Sequence, residues 1–466
     1  MKYDFAVVGS GPAGYTFAIR AAQLKKRCIV FEESFPGGTC LNVGCIPSKV
    51  WRHIADFYKS IKTETPAFGI KVQEVTVDWS KLQEFKNSVI ERLRNGIKSL
   101  FKAHRVEYIN KHVEKIKDGK VYFKSDNREN FIESQNIILA VGGTPIHLKE
   151  FDYKNPNVLT YKNCFDLEKL PSSIIIVGGG IIGIELATIF ANFGVKVYVV
   201  ELLDTILSGI DKEVVSRLVR KLKELNVGIL TSSSVEKVNY SDSNVEVIVK
   251  NKKVNQITTF SGDKVIVAVG IMPPDTNQIV SCELTEKGWV KVNENFETSV
   301  KGLYAIGDII GPPFLAHRAY YQAKVLAGHL IKNLPARQTS FIPTVVYTEP
   351  EIAYVGLQEE ELKNQKIEYK VSKFYYTSSG RAVADNKTDG FIKVFSTPDR
   401  NEILGAIIVG TAAGELIGEY TLALEAKLSL ENVATTIHPH PTYSEIVPES
   451  AENALGYSIH ILPPNI

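Results

Sequence analysis

Cysteine is scarce in this chain, with five residues among 466. That is too few for a disulfide-stapled secreted scaffold, and the odd number leaves at least one cysteine without a partner inside the chain. An excess of one charge is also missing. Lys and Arg total 54 against 52 Asp and Glu, a formal net charge of +2, which argues against a nucleic-acid groove or an anionic membrane surface as the main partner. No apolar run goes far without interruption. The longest candidate, Ile174 to Val200, has the length to cross a bilayer, but it contains three consecutive glycines, Glu185, Asn192 and Lys196. A buried strand, turn and helix are expected there instead. The amino-terminal stretch MKYDFAVVGSGPAG passes straight into an apolar strand and a glycine turn, with no room for the parts of a targeting segment; a cytoplasmic location is the expectation. What remains is ordinary. A content of 44% hydrophobic and 23% charged residues with 33 Gly is that of a globular protein, and the length predicts two or three domains.

What is present is a repeat. Tyr3 to Val8 is an apolar run followed by Gly9, Gly11 and Gly14, a helical stretch, a second apolar run Cys28 to Phe31, and Glu32. Ile174 to Val177 begins the same plan with Gly178, Gly180 and Gly183, a helix to Phe193, the run Val195 to Val200, and Glu201. In both copies the acid lies 23 positions after the first glycine. The first glycine suits a tight turn, the second lets backbone approach a pyrophosphate, and the third lets helix and strand pack closely. The pyrophosphate then sits where free N–H groups and a helix dipole favour negative charge. Two dinucleotide-binding units are expected. Glu201 would accept hydrogen bonds from ribose hydroxyls and repel a 2′-phosphate; Leu202, Leu203 and Asp204 follow it without a nearby cation, so NAD is favoured over NADP.

Between and after these units, Leu82, Phe85, Val89, Leu93, Ile97, Leu100 and Phe101 recur at intervals of three and four and predict one amphipathic helix. Val106 to Phe131 reads as short strands with Asp-Gly and Asp-Asn turns, leading to a closing strand from Ile137 to Val141. Val265 to Gly270 is the matching run after the second unit. Past Asn333-Leu334-Pro335-Ala336 the pattern turns to strands (Ile352 to Val355, Phe391 to Phe395, Ile403 to Val409) and then helices, so a further domain is expected from about residue 337.

Two cysteines stand together. Cys40 and Cys45 lie in the segment from Gly37 to Lys49, just after the acid that ends the first unit. Thiols so close can bridge across a compact turn, and a helix starting there would lower a thiolate pKa. In a cytosolic protein such a pair is expected to be redox-active or metal-binding rather than structural. Zinc would need two more ligands, and Cys28, Cys164 and Cys282 offer no paired spacing; these three read as small buried hydrophobes.

With these residues in hand, the chain resembles the pyridine nucleotide-disulfide oxidoreductase family over essentially its whole length. The resemblance rests on Gly9 to Tyr15, Gly37 to Lys49, the triple-glycine turn with Glu185, Tyr304-Ala305-Ile306-Gly307-Asp308, Leu315-Ala316-His317, and His440-Pro441-Thr442-Tyr443-Ser444-Glu445. It implies an α/β fold with two Rossmann-like nucleotide-binding domains, for FAD and NAD, plus an α+β carboxy-terminal interface domain that forms a homodimer. The implied boundaries are 1–147 and 270–336 for FAD, 148–269 for NAD, and 337–466 for the interface. Gly9, Gly11, Gly14, Glu32, Gly38, Thr39, Lys49, Gly142, Asp308 and Ala316 are implied for FAD, with Asp308 at its ribityl or phosphate region. Gly178, Gly180, Gly183, Glu201 and Gly270 are implied for NAD. Catalysis falls to Cys40 as the interchange thiol, Cys45 against the flavin, Lys49 paired with Glu185, and the base His440 held by Glu445, the dyad reaching the disulfide of the partner subunit. His438, two positions away, is the decoy.

The resemblance further implies the branch that oxidises dihydrolipoamide with NAD, the lipoyl group being carried by a protein such as a 2-oxo acid dehydrogenase complex, with no metal. Basic residues that would grip NADP are missing near Glu201, no cysteine pair closes the tail, and both active-site cysteines and His440 are present. Lys25, Lys26 and Phe35-Pro36 depart from the family pattern without touching a catalytic role. A reductase of another disulfide, metal or quinone, or a non-catalytic nucleotide-binding subunit, are the other readings of the same residues.

Overall fold

The computed structural model describes residues 2–125, 128–241 and 244–462; the expected Asp126-Asn127 turn and the tail from Pro463 to Ile466 lie outside the described residues. The first strand, Lys2–Val8, runs into Gly9, and helix α1 (Pro12–Gln23) begins with a proline where a missing N–H costs nothing. It buries Ala13, Phe17, Ala18 and Ala21, spaced three and four apart, against the sheet. Strand Cys28–Phe31, helices α2 (Gly38–Val43), α3 (Cys45–Thr63) and α4 (Trp79–His104), and strand Glu107–Ile109 follow. Strands 107–109, 28–31, 2–8 and 128–139 lie side by side and parallel.

Where the sequence predicts separate strands before and at Ile137, the structure has one, Arg128–Leu139. Its outer half pairs antiparallel with Lys120–Ser125, and its inner half lies parallel between Lys2–Val8 and the distant strand Leu303–Ala305. Twelve residues are long enough to carry antiparallel pairing at one end and parallel pairing at the other within a single seven-stranded sheet.

The second unit repeats the plan. Strands Gly228–Leu230, Lys196–Val200, Ser173–Val177, Lys264–Val267 and Val158–Thr160 form a parallel sheet in that order, with α5 (Ile181–Asn192) and α6 (Lys212–Glu224). Helix α5 is buried from Gly183 to Asn192, so a segment apolar on all sides is a core helix; among the described residues no helix is long and apolar enough to cross a membrane. The chain crosses between the two units through the short ribbon Thr144–Pro145 with Ile271–Met272. Helix α7 (Ala316–Lys332) then packs on α1. The carboxy-terminal residues build a five-stranded antiparallel sheet in the order 344–346, 352–356, 403–409, 391–396, 370–375, packed against helices Ala413–Ala426 and Ile446–Leu455.

The expected amphipathic helix is present as α4, but its buried face differs from the predicted stripe. Leu82, Lys86, Ile90, Ile97 and Phe101 are buried, while Phe85, Leu93 and Leu100 are exposed. The lysine enters the core because its Nζ donates to the Phe165 carbonyl at 2.6 Å, with Asp166 at 4.0 Å. A long aliphatic stem with a satisfied head packs as a hydrophobe. Trp79 Nε1 and Gln83 Nε2 donate to the Leu167 carbonyl, so α4 is tied to the segment that enters the second unit. Of the three cysteines read as buried hydrophobes, Cys28 and Cys164 are buried and Cys282 is only half-buried.

Candidate active site

The two glycine turns are sterically alike. A Cβ on Gly9 would come within 2.4 Å of the Ala140 carbonyl oxygen, and one on Gly178 within 2.4 Å of that of Ala268. A Cβ on Gly14 or Gly183 would collide with the carbonyl of the first glycine, at 1.9 and 2.0 Å. The middle glycines are different. Gly180 has nothing within 4 Å and Gly11 only Gly38 Cα at 3.8 Å, so the protein's own packing does not require glycine there. Open space over a bare backbone at a helix amino terminus suits a pyrophosphate, and both turns fit a dinucleotide.

The acids close each turn. Glu32 Oε2 accepts from Ser10 N and Ser10 Oγ, at 2.9 and 2.8 Å, and its Oε1 accepts from Ser34 N at 3.0 Å. Glu201 accepts from Gly179 N at 2.5 Å and Leu203 N at 2.7 Å. Both carboxylates are thus aimed by backbone and keep lone pairs for ribose hydroxyls. Beside the second turn a cleft of about 180 Å³ is lined by Gly180, Glu201, Leu203, Thr205, Ser208 and Tyr354 among others, with no Lys or Arg in the lining. That suits NAD and offers nothing to a 2′-phosphate. Tyr354 comes from the carboxy-terminal sheet.

The thiols sit between the two turns. Gly38 would place a Cβ 2.6 Å from Gly11 Cα, so α2, carrying Thr39 and Cys40, leans directly on the first turn. Gly44 breaks the chain between α2 and α3 and lies close to Cys40, where a Cβ would meet Cys40 Cα at 3.4 Å and Thr39 O at 3.0 Å. The break brings Cys45, the first residue of α3, beside Cys40. Both are free thiols within hydrogen-bonding reach of each other. Cys40 donates to Cys45, which pushes its own thiol far up and holds that of Cys45 down; nearby Lys49 adds to the lowering. The thiolate of the reduced pair therefore belongs on Cys45, helped by the α3 amino terminus.

Lys49, one turn along α3, places Nζ 2.8 Å from Glu185 Oε2 on α5. The other oxygen, Oε1, accepts the Tyr347 N–H at 3.0 Å, and the Tyr347 ring lies under Lys49 Nζ, 3.9 Å from its centroid. Sequence reasoning missed Tyr347, a lone aromatic at a strand end with no motif around it.

His440 Nδ1 lies 2.7 Å from Glu445 Oε1, and Thr442 N donates to Oε2 at 2.8 Å within a capping box. Burial would raise the Glu445 carboxyl, but Thr442 and His440 outweigh it and hold it below the usual range. His440 is 77% exposed, and no hydrogen bond joins it to either cysteine of its own chain. His438 has its ring nitrogens engaged by the Thr436 carbonyl and Glu419, which makes it a structural residue. Asp308 lies in a crowded cleft where burial pushes its carboxyl up to about 6 against the pull of Arg318, and no donor among the described residues reaches it. An acid so placed fits a ligand hydroxyl. Ala316 opens α7, while Gly142 and Gly270 adopt positive φ after the closing strands. Among the described residues no cluster of His, Cys, Asp and Glu could hold a metal ion.

Known proteins resemble this chain in sequence and fold. Residues 3–323 match the pyridine nucleotide-disulphide oxidoreductase family, and residues 342–451 its dimerisation domain. The chain is 37% identical to the dihydrolipoyl dehydrogenase of Geobacillus stearothermophilus and 38% to that of Bacillus subtilis, in each case over 99% of this chain and 98% of the relative. In three dimensions it is similar to the copper(II) complex of the HOCl-induced flavoprotein disulfide reductase RclA from Escherichia coli, with a TM-score of 0.86 at 23% identity over 97% of this chain and 99% of the other. Two nucleotide turns, a thiol pair between them and a matched dimerisation domain lead to one conclusion: the chain belongs to the pyridine nucleotide-disulphide oxidoreductase family.

Proposed function

We propose that this protein is a dihydrolipoyl dehydrogenase, an FAD-dependent homodimer that oxidises dihydrolipoamide with NAD through a Cys40–Cys45 disulfide. One observation carries the reading. Helix α3 bears both the Cys45 thiol and Lys49, whose ammonium reaches Glu185 on the helix that opens from the second glycine turn.

A free cysteine thiol has a pKa near 8.5, and an alkyl dithiol is likewise mostly protonated at neutral pH, so a base that takes its proton speeds attack. The partner subunit's His440, aligned by Glu445, accepts that proton. The thiolate attacks Cys40 Sγ, the Cys40–Cys45 bond breaks, and Cys45 leaves as the favoured thiolate. The second substrate thiol then displaces Cys40 from the mixed disulfide and passes its proton to that sulfur, so Cys40 leaves as a thiol while the partner's His440 keeps the first proton. Substrate leaves as the cyclic disulfide and the enzyme pair holds two electrons. FAD, when bound, supplies the relay of those electrons to NAD as hydride. Glu32 and Asp308 would hold FAD, Glu201 would hold the NAD ribose, and Lys49 with Glu185 joins the thiol-bearing helix to the helix of the second turn. The exposure of His440 on its own subunit and the match to a dimerisation domain support the partner's contribution.

The domains run 1–147 with 270–336 for FAD, 148–269 for NAD and 337–466 for dimerisation. Pairing of strands 303–305 with 128–139, and of 158–160 with 264–267, supports these boundaries. The lipoyl group is carried by a 2-oxo acid dehydrogenase or related complex in the cytoplasm, in keeping with the bacterial relatives. Steady-state assays of the purified holoenzyme with dihydrolipoamide and NAD against oxidised glutathione and NADPH test the proposal. The first pair is expected to react faster, and a glutathione preference would overturn the substrate assignment.

A further inference from the structure

Glu185 is a carboxylate on a helix that is buried from Gly183 to Asn192. A charge so placed needs a counter-charge and bonds for both oxygens. Lys49 supplies the first from α3. The second comes from neither nucleotide unit but from the carboxy-terminal sheet, where Tyr347 follows strand Thr344–Val346 and donates its N–H to Oε1 at 3.0 Å. Tyr347 meets Lys49 as well, with its ring centroid 3.9 Å from Nζ, where the negative face of the ring attracts an ammonium. Its carbonyl accepts from Arg52 on α3, which also donates to the Thr348 carbonyl at 2.7 Å. One residue thus touches both members of the ion pair and is itself tied to the helix that carries one of them. A lysine head on a flexible stem is free to leave a lone carboxylate, and the ring closes one side of that freedom.

We propose that Tyr347 is a positioning residue that holds Lys49 against Glu185, so that the carboxy-terminal domain fixes the cation beside the redox thiols. The inference rests on the reading of Lys49 and Glu185 as the pair that joins the thiol-bearing helix to the helix of the second turn, and adds a residue which that reading lacks. Its consequence falls on Cys45. The groups that face this thiol are Cys40, Lys49 and Glu185, with the Tyr320 and Tyr347 phenols also within its field. Lys49 favours the thiolate and Glu185 opposes it. Without the ring, Lys49 gains freedom, its field at Cys45 weakens, and the thiol titrates higher.

The test follows alkylation of Cys45 by iodoacetamide as a function of pH, read by mass spectrometry, in the FAD-loaded dimer reduced with dithiothreitol. Tyr347→Leu is expected to move the midpoint up by about half a unit to one unit, and Tyr347→Phe, which keeps the ring, to leave it in place. If Tyr347→Leu does not fold, pentafluorophenylalanine at position 347 keeps the shape, reverses the ring's electrostatics and should give the same upward shift. A midpoint unmoved by loss of the ring, while Lys49→Gln moves it, overturns the inference. Equal shifts in Tyr347→Phe and Tyr347→Leu overturn it too, by assigning the effect to the hydroxyl. The underlying reading is tested apart from this by the rate at which NADH bleaches the flavin in Lys49→Gln, where an unchanged rate would remove Lys49 from the site whatever Tyr347 does.

Discussion

At the scale of single residues, the site works by placing charge where the chain alone would not favour it. Cys40 and Cys45 share one hydrogen bond, and the bond divides their chemistry, with Cys40 a reluctant acid and Cys45 a ready one. Cys45→Ser should therefore abolish dithiol oxidation while FAD stays bound, as measured by turnover with dihydrolipoamide and by flavin absorbance after gel filtration. Full retained activity would refute the assigned centre. Asp308 is a second case. Its carboxyl, raised to about 6 from an ordinary 3.8, holds its proton in the folded state at pH values where the unfolded chain has lost it. Folding without cofactor is therefore favoured at low pH, and that contribution is lost as pH rises from about 4 through about 6. In the apoprotein, Asp308→Asn should raise the thermal midpoint at pH 7, with the advantage vanishing near pH 4, and FAD retention should fall. A pH-independent difference would show that Asp308 is not the titrating group.

Among the elements, the glycine turns separate architecture from ligand binding. Gly183 touches the Gly178 carbonyl, so Gly183→Ala drives a methyl into backbone and should destabilise by about 1–3 kcal/mol, read by chemical denaturation. Gly180 has φ −75° and open space around it, so Gly180→Ala should fold with stability changed by less than about 0.5 kcal/mol yet bind NAD more weakly. Equal loss of stability in the two would remove the distinction. Both turns were legible in the sequence because a glycine spacing and a distant acid are local facts. The buried face of α4 was not. Periodicity placed Phe85, Leu93 and Leu100 in its stripe, but a carbonyl from residue 165 made Lys86 the better core residue, and no window of sequence contains that carbonyl.

For the whole molecule, the question is which subunit completes which site. Cys40 and Cys45 lie in the first nucleotide unit, whereas His440 and Glu445 stand at the far end of the chain, with His440 exposed and Glu445 half-buried on their own subunit. Mixed dimers formed from Cys45→Ser and His440→Ala chains, each inactive alone, decide it. If the base crosses the interface, one site of each mixed dimer has an intact thiol pair and an intact base, and dithiol oxidation returns on mixing. Mixtures that stay inactive after subunit exchange would place the base within its own subunit.

The sequence by itself determined the two nucleotide units, their closing acids, the thiol pair and the His440–Glu445 dyad, because each is a pattern of residues close together along the chain. Tertiary structure alone decided that Tyr347 joins the expected Lys49–Glu185 pair, three residues from three parts of the chain. It also decided that strand 128–139 joins antiparallel and parallel parts of one sheet and that Tyr354 of the carboxy-terminal sheet lines the cleft beside the second glycine turn. The physical reason is the same throughout. Local spacing fixes which groups a turn or helix presents, but a buried charge is satisfied by whatever donor the folded chain brings within 3 Å, and that is set by packing across the molecule.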